Sequence, residues 1–232
     1  MSGANDLPTD ALFPLLAPLS CEAGEGLGVG APHIVKDKIM ATLKWDVEPA
    51  RDYILGDVNA PVTLVEYGDY ECPHCAKAQP VVAAVRAAMG DRLRVVFRSF
   101  PFAEMHKHAQ HASEAVAAAG TQGKFWEMHD AVFAHQSEGL TDENLLALAV
   151  SVGADRAKIA DALGAGAFAE RVREDKMSGI RSGVNGTPTF FINGIRHDDS
   201  WDEETLLEAI SAVFPSPLPR VSPSPQPPPS SE

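Results

Sequence analysis

The stretch Val65–Pro80, VEYGDYECPHCAKAQP, holds Cys72-Pro73-His74-Cys75. A Cys-x-x-Cys pair can exchange electrons as dithiol and disulfide, supply half of a zinc site, or simply fill space. Redox work requires a thiolate, so the elements flanking the pair matter most. The run before it, Pro61–Tyr67 (PVTLVEY), is β-branched and apolar and reads as a buried strand. The run after it, Cys75–Gly90, reads as an Ala-rich helix closed by Gly90, with Pro80 expected to kink it. Cys72 therefore falls at a helix N-terminus, where unpaired N–H groups and the macrodipole favour an anion. Pro73 suits the first helical turn, because its missing N–H costs little there. His74, protonated or donating, would add to thiolate stabilisation. Cys75 can reach Cys72 within one turn and is expected to be the more buried, resolving partner. Its proton needs an acceptor, and Glu66 lies on the preceding strand. Pattern alone leaves Glu66 either a surface carboxylate or a buried proton relay.

A second stretch, VNGTPTFF (Val184–Phe191), puts Pro188 at the first residue of a strand, where proline is allowed. A trans loop proline is the common case. A cis bond would turn the Thr187 backbone outward, where an extended peptide could pair with it.

These residues must be positioned by the rest of the chain. Arg92–Phe100 reads as a second strand, completing a right-handed βαβ unit with parallel strands. Residues from about 104 to 183 read as helices, one with Thr141 as its N-cap and the next starting at Asp155. Thr187–Gly194 is a strand running into a turn at Asn193-Gly194, with a hairpin partner after it. Asp202–Phe214 is a closing helix, acidic in its first turn. The expected class is α/β: βαβ, a helical excursion, a hairpin and a last helix around one sheet.

The chain has 232 residues, 45% of them hydrophobic, which suffices for a core across residues 45–214. Its net charge of −13 repels phosphate backbones, so nucleic acid is not expected as a partner. No run approaches the roughly 18 apolar residues of a membrane span. Residues 1–44 read as a flexible arm. Within it ALFPLLAPLS (Ala11–Ser20) lacks a preceding Lys or Arg and is broken by prolines, so a secretory signal is not expected and the expected setting is the cytoplasm. The arm carries the third cysteine, Cys21. Residues 215–232, PSPLPRVSPSPQPPPSSE, read as a disordered or polyproline tail.

Zinc would need two more ligands. His106, His108 and His111 read as solvated, and Trp126 with His129 as core packing around a satisfied imidazole. No metal or cofactor is expected.

Taken in order, APVTLVEYGDYECPHC, VVFRSFPF, GKFWEMHDAVF and GVNGTPTFFING resemble the DsbA-like branch of the thioredoxin superfamily over roughly Trp45 to Phe214. The resemblance implies a thioredoxin-like fold, βαβ…ββα, with an inserted all-helical domain. It implies Cys72 as exposed nucleophile, Cys75 as resolving thiol, His74 as tuner of the thiolate and Glu66 as buried acid. It also implies Pro188 as the cis-proline facing the cysteines, with Thr187 and Pro73 beside the substrate. Thr187 before the proline also resembles the disulfide isomerase branch, so the direction of electron flow stays open. The implied partners are proteins with thiols or disulfides and an unspecified redox partner. The rival reading is a redox-inert binding module on the same fold, using the Pro188 groove.

Overall fold

The β-branched runs predicted as strands do pair, and they form the middle of a five-stranded sheet. The computed structural model describes residues 41–214. Residues 1–40 of the arm expected over 1–44, Cys21 among them, and the tail expected over 215–232 lie outside the described residues.

The strands are β1 (Ile54–Leu55), β2 (Val62–Gly68), β3 (Leu93–Ser99), β4 (Thr189–Ile192) and β5 (Ile195–His197), in the order β1-β3-β2-β4-β5. β2 is central, parallel to β3 and antiparallel to β4. Every residue of β2 is buried, so it shows none of the polar alternation of a half-exposed strand. Helix α1 (Pro73–Met89) crosses from β2 to β3 and runs through Pro80 without interruption. Asn193 and Gly194 both have positive φ, +47° and +82°, as a two-residue hairpin turn requires.

Five helices form the insertion: α2 (Ala109–Gly120), α3 (Phe125–Ala134), α4 (Asp142–Ser151), α5 (Arg156–Ala165) and α6 (Ala169–Arg181). Thr141 caps α4 as expected, and Asp155, expected to start the next helix, is the N-cap of α5. Helix α7 (Glu203–Ala212), capped by Asp202, is the last element among the described residues.

The pleat of β2 divides its work. Val62 and Leu64 pack against Ala78, Val82 and Val85 of α1 and Leu206 and Ile210 of α7. Val65 and Tyr67 face the other way, onto Phe100, Val184 and Phe191. Glu66 shares the face of Leu64, so the register aims it at α1.

Two features were not foreseen. β1 is a short antiparallel edge on β3, too brief to carry a pattern. Residues 41–44, expected within the arm, lie against the sheet edge: Thr42 bridges Ile195, and Leu43 N–H donates to the Gly194 carbonyl at 2.8 Å. Behind the sheet the fully buried Arg98 grips Asp52 through both carboxylate oxygens, at 3.0 and 2.9 Å. It also donates to the carbonyls of Trp45 and Asp46, both at 2.9 Å, pinning this entering segment.

Candidate active site

β2 ends at Gly68, and a four-residue loop, Asp69–Cys72, delivers the chain to α1. A side chain at Gly68 would collide with the Phe97 ring, so this exit from the sheet needs glycine. Asp69 is fully buried and organises the loop. Its carboxylate accepts from the N–H of Glu71 at 2.8 Å and of Phe102 at 2.7 Å, and pairs with His106 Nδ1 at 2.8 Å. His106 is thus held at the site margin, not free in solvent. Burial acts against its charge, but Asp69 outweighs this and raises its pKa. From the insertion, Gln136 Nε2 donates to the carbonyls of Tyr70 and Cys72 at 2.7 and 3.0 Å.

Cys72, expected at a helix N-terminus, is the N-cap of α1, and Pro73, expected in the first turn, is its first residue. Both cysteines are free thiols. Cys75 is fully buried, and Cys72, expected to be exposed, is only 7% exposed. The cause is the opposite wall: Cys72 Sγ lies 3.4 Å from the Thr187 carbonyl. The Thr187–Pro188 peptide is cis, and both residues are half-buried. Pro73 and His74 are exposed beside this opening.

The two thiols have opposite acidities. Cys72 is lowered to about 5, first by the hydrogen bond from the Cys75 thiol. Burial opposes this, and the Thr187 side chain and the N–H groups of Cys75 and His74 reinforce it. No capping hydrogen bond closes on the Cys72 side chain, so these amides act as dipoles. His74 contributes its main-chain N–H to the Cys72 thiolate. Cys75 is pushed far above the ordinary thiol range, first by burial, then by its bond to Cys72 and by the Glu66 charge.

Glu66 is 1% exposed and raised to about 8 by burial, against the pull of a hydrogen bond from Gln79. Its neighbours across the sheet are Phe97 and Phe190, and neither compensates a charge. Glu66 is thus an interior carboxyl, not a surface carboxylate. His129 has the satisfied imidazole expected, bonded to Tyr70 and Gln79. His111 pairs with Asp142 at 2.7 Å on the surface. Among the described residues no cluster of three or more His, Cys, Asp or Glu could hold a metal. Asp69, Tyr70, Gln79 and Gln136 were not singled out from sequence. The only local signal was position: Asp69 three residues before Cys72, Gln79 one turn after Cys75.

The family model described as thioredoxin matches residues 49–212. The chain belongs to this family, and its architecture is that of the DsbA-like branch. It is similar to BdbD from Bacillus subtilis, with a TM-score of 0.66 and 24% identity over 75% of this chain and 96% of that one. It is similar also to alpha-DsbA1 from Wolbachia pipientis, with a TM-score of 0.62 and 20% identity over 72% of this chain and 92% of that one. Among curated proteins it is 45% identical over 170 residues to the Na(+)/H(+) antiporter NhaA 1 of Salinispora arenicola, covering 72% of this chain and 26% of that protein. The chain thus spans about a quarter of the length of that relative. The name describes the whole of that protein and is not carried over. No helix among the described residues is long and apolar enough to cross a membrane.

Proposed function

We propose that this chain is an enzyme, a thiol–disulfide oxidoreductase that works through a mixed disulfide at Cys72 and preferentially oxidises its substrates. The observation that carries the reading is the divergence of two thiols on one helical turn, Cys72 at about 5 and Cys75 far above the ordinary range. In the oxidised pair, a substrate thiolate attacks Cys72 Sγ, and the Cys72–Cys75 bond breaks. Cys75 leaves as a thiolate and takes a proton, for which Glu66, raised to about 8, is still protonated at neutral pH. A second substrate thiolate then attacks the mixed disulfide, and Cys72 departs as the stable thiolate. The substrate loses two electrons and the cysteine pair gains them.

Thiolate stabilisation exists only in the reduced protein, so it favours electron uptake. Only the part of the Cys72 shift lying below pH 7 counts. It is worth about 3 kcal/mol, or roughly 60 mV for a two-electron couple. Substrates would be proteins with thiols in an extended segment, pairing beside cis-Pro188 at Thr187, with Pro73 at the rim. A disulfide-bearing redox partner would restore the pair by the reverse exchange. The cytoplasmic setting stays a proposal on which the potential bears. A pair far above the glutathione poise, about −220 to −260 mV by extraction, would stand reduced there.

The test is oxidation of a model dithiol peptide. Cys72→Ser should abolish it, and Cys75→Ser, offered the disulfide form of the peptide, should accumulate the mixed disulfide as Cys72 attacks and the second peptide thiolate leaves. Undiminished oxidation by Cys72→Ser would end this reading, and a wild type that oxidises nothing and keeps an ordinary Cys72 thiol would favour the inert binding module.

A further inference from the structure

Behind the cysteine pair, Tyr70 and His129 are buried side chains that the exchange steps do not use. They join Glu66 through Gln79, and the direction of each hydrogen bond can be assigned. Gln79 Nε2 lies 3.2 Å from the Cys75 carbonyl and 3.1 Å from Glu66 Oε1. A carbonyl only accepts, so this atom is the amide nitrogen and Gln79 Oε1 is left as an acceptor. His129 Nε2, 3.1 Å from that oxygen, must carry a hydrogen. Burial pushes the His129 imidazolium down to about 3, so the ring is neutral at pH 7 and Nδ1 is bare. The Tyr70 hydroxyl, 3.0 Å away, therefore donates to Nδ1. Three donors in series point one way: Tyr70 to His129, His129 to Gln79, Gln79 to Glu66. Among the described residues, Gln79 is the one side chain hydrogen-bonded to Glu66.

A cavity of about 90 Å³ adjoins this chain, lined by Glu66, Gln79 and His129 and by Arg86 and Asp130. Asp130 is exposed and Arg86 half-buried, so the cavity leads from Glu66 toward the surface on the side of α3. The titratable groups around Glu66 are Cys72, Cys75 and Arg86 of the α1 segment, Tyr70 of the loop, and His129 and Asp130 of α3.

We propose that His129, braced by Tyr70, is a positioning residue for proton transfer at Glu66: it locks the Gln79 amide with its N–H toward the carboxylate. Directed donors in series polarise one another, and a carboxylate at their end is favoured over the carboxylic acid. The helical insertion thereby sets the protonation of an acid on the thioredoxin sheet. The inference deepens the proposed function and rests on it for the use made of Glu66.

The test is a ¹³C NMR titration of the Glu66 carboxyl in the reduced full chain, run beside the dithiol-oxidation assay. His129→Phe frees the amide, and the Glu66 midpoint should rise by about one pH unit. Gln79→Met should raise it by at least as much. Adding His129→Phe to Gln79→Met should move it no further, because both act through one bond. Tyr70→Phe, which removes one hydroxyl, should give a smaller rise and covers the case in which His129→Phe fails to fold. A wild-type midpoint retained in Tyr70→Phe or in folded His129→Phe would overturn the proposal, even with stability lowered. The oxidation assay fails or succeeds separately: a wild type without Cys72-dependent oxidation, yet with the shifted midpoints, would sink the enzymatic reading and leave the positioning intact.

Discussion

At Cys72 several donors converge on one sulfur, while at Cys75, three residues on, the same helix turn offers burial and a neighbouring acid. The difference is a matter of which side of α1 each residue occupies. In the reduced protein, thiolate absorbance near 240 nm should titrate with a midpoint near pH 5 and vanish in Cys72→Ser. A midpoint above about 8, the ordinary thiol region, would contradict the site geometry. Glu66 yields a prediction of opposite sign. Between its ordinary 4.5 and about 8 the folded protein holds a proton that the unfolded chain releases. Stability from this group therefore falls as pH rises through that window. Glu66→Gln should accordingly stabilise the protein over wild type, with a gain that grows from pH 5 to pH 8.5 by on the order of 3 kcal/mol. Urea unfolding at the two pH values measures it, and a gain independent of pH would show that Glu66 is not protonated by burial.

At the scale of elements, β2 fixes Glu66 against α1, and its exit at Gly68 sets the approach to Cys72. Gly68→Ala would push on the Phe97 ring and should cost about 1–3 kcal/mol while lowering exchange activity. Equal stability and activity would show that the Phe97 ring gives way freely. On the other face, Arg98 and Asp52 bury a paired charge and clamp the entering segment. Asp52→Ala leaves the guanidinium uncompensated and should cost about 3–5 kcal/mol in denaturant unfolding. A loss below about 1 kcal/mol would place that guanidinium in contact with water. What could be read from the sequence follows from range. Cys72 at the start of a helix, Pro73 in its first turn, the Thr141 cap, the helix start at Asp155 and the Asn193-Gly194 turn are decided within a few residues of themselves. Glu66 carried only a position on an apolar strand. Its burial needed the register against Phe97 and Phe190. β1 is two residues long, too short for any periodicity. Residues 41–44 are ordered by partners more than a hundred positions away, such as Ser182, which accepts from the Lys44 N–H at 3.0 Å.

At the scale of the whole molecule, the insertion is part of the candidate site as well as a cover for it. Gln136 holds the loop before Cys72, and His129 reaches Glu66 through Gln79. Neither residue lies near the cysteines in sequence, and each reads alone as an ordinary helix polar group. The motif pattern was enough to place the helical block between the two halves of the sheet, because period and order are legible along the chain. Which side chains of that block touch the site was not, because helix packing decides it. The measurement that bears most directly on the central claim is the Cys72–Cys75 reduction potential at pH 7, by equilibration with glutathione. A thiolate stabilised as far as the donors around Cys72 indicate places it near −220 mV, roughly 50 mV above thioredoxin. A potential at or below about −270 mV, or no redox equilibrium of this pair at all, would contradict the account.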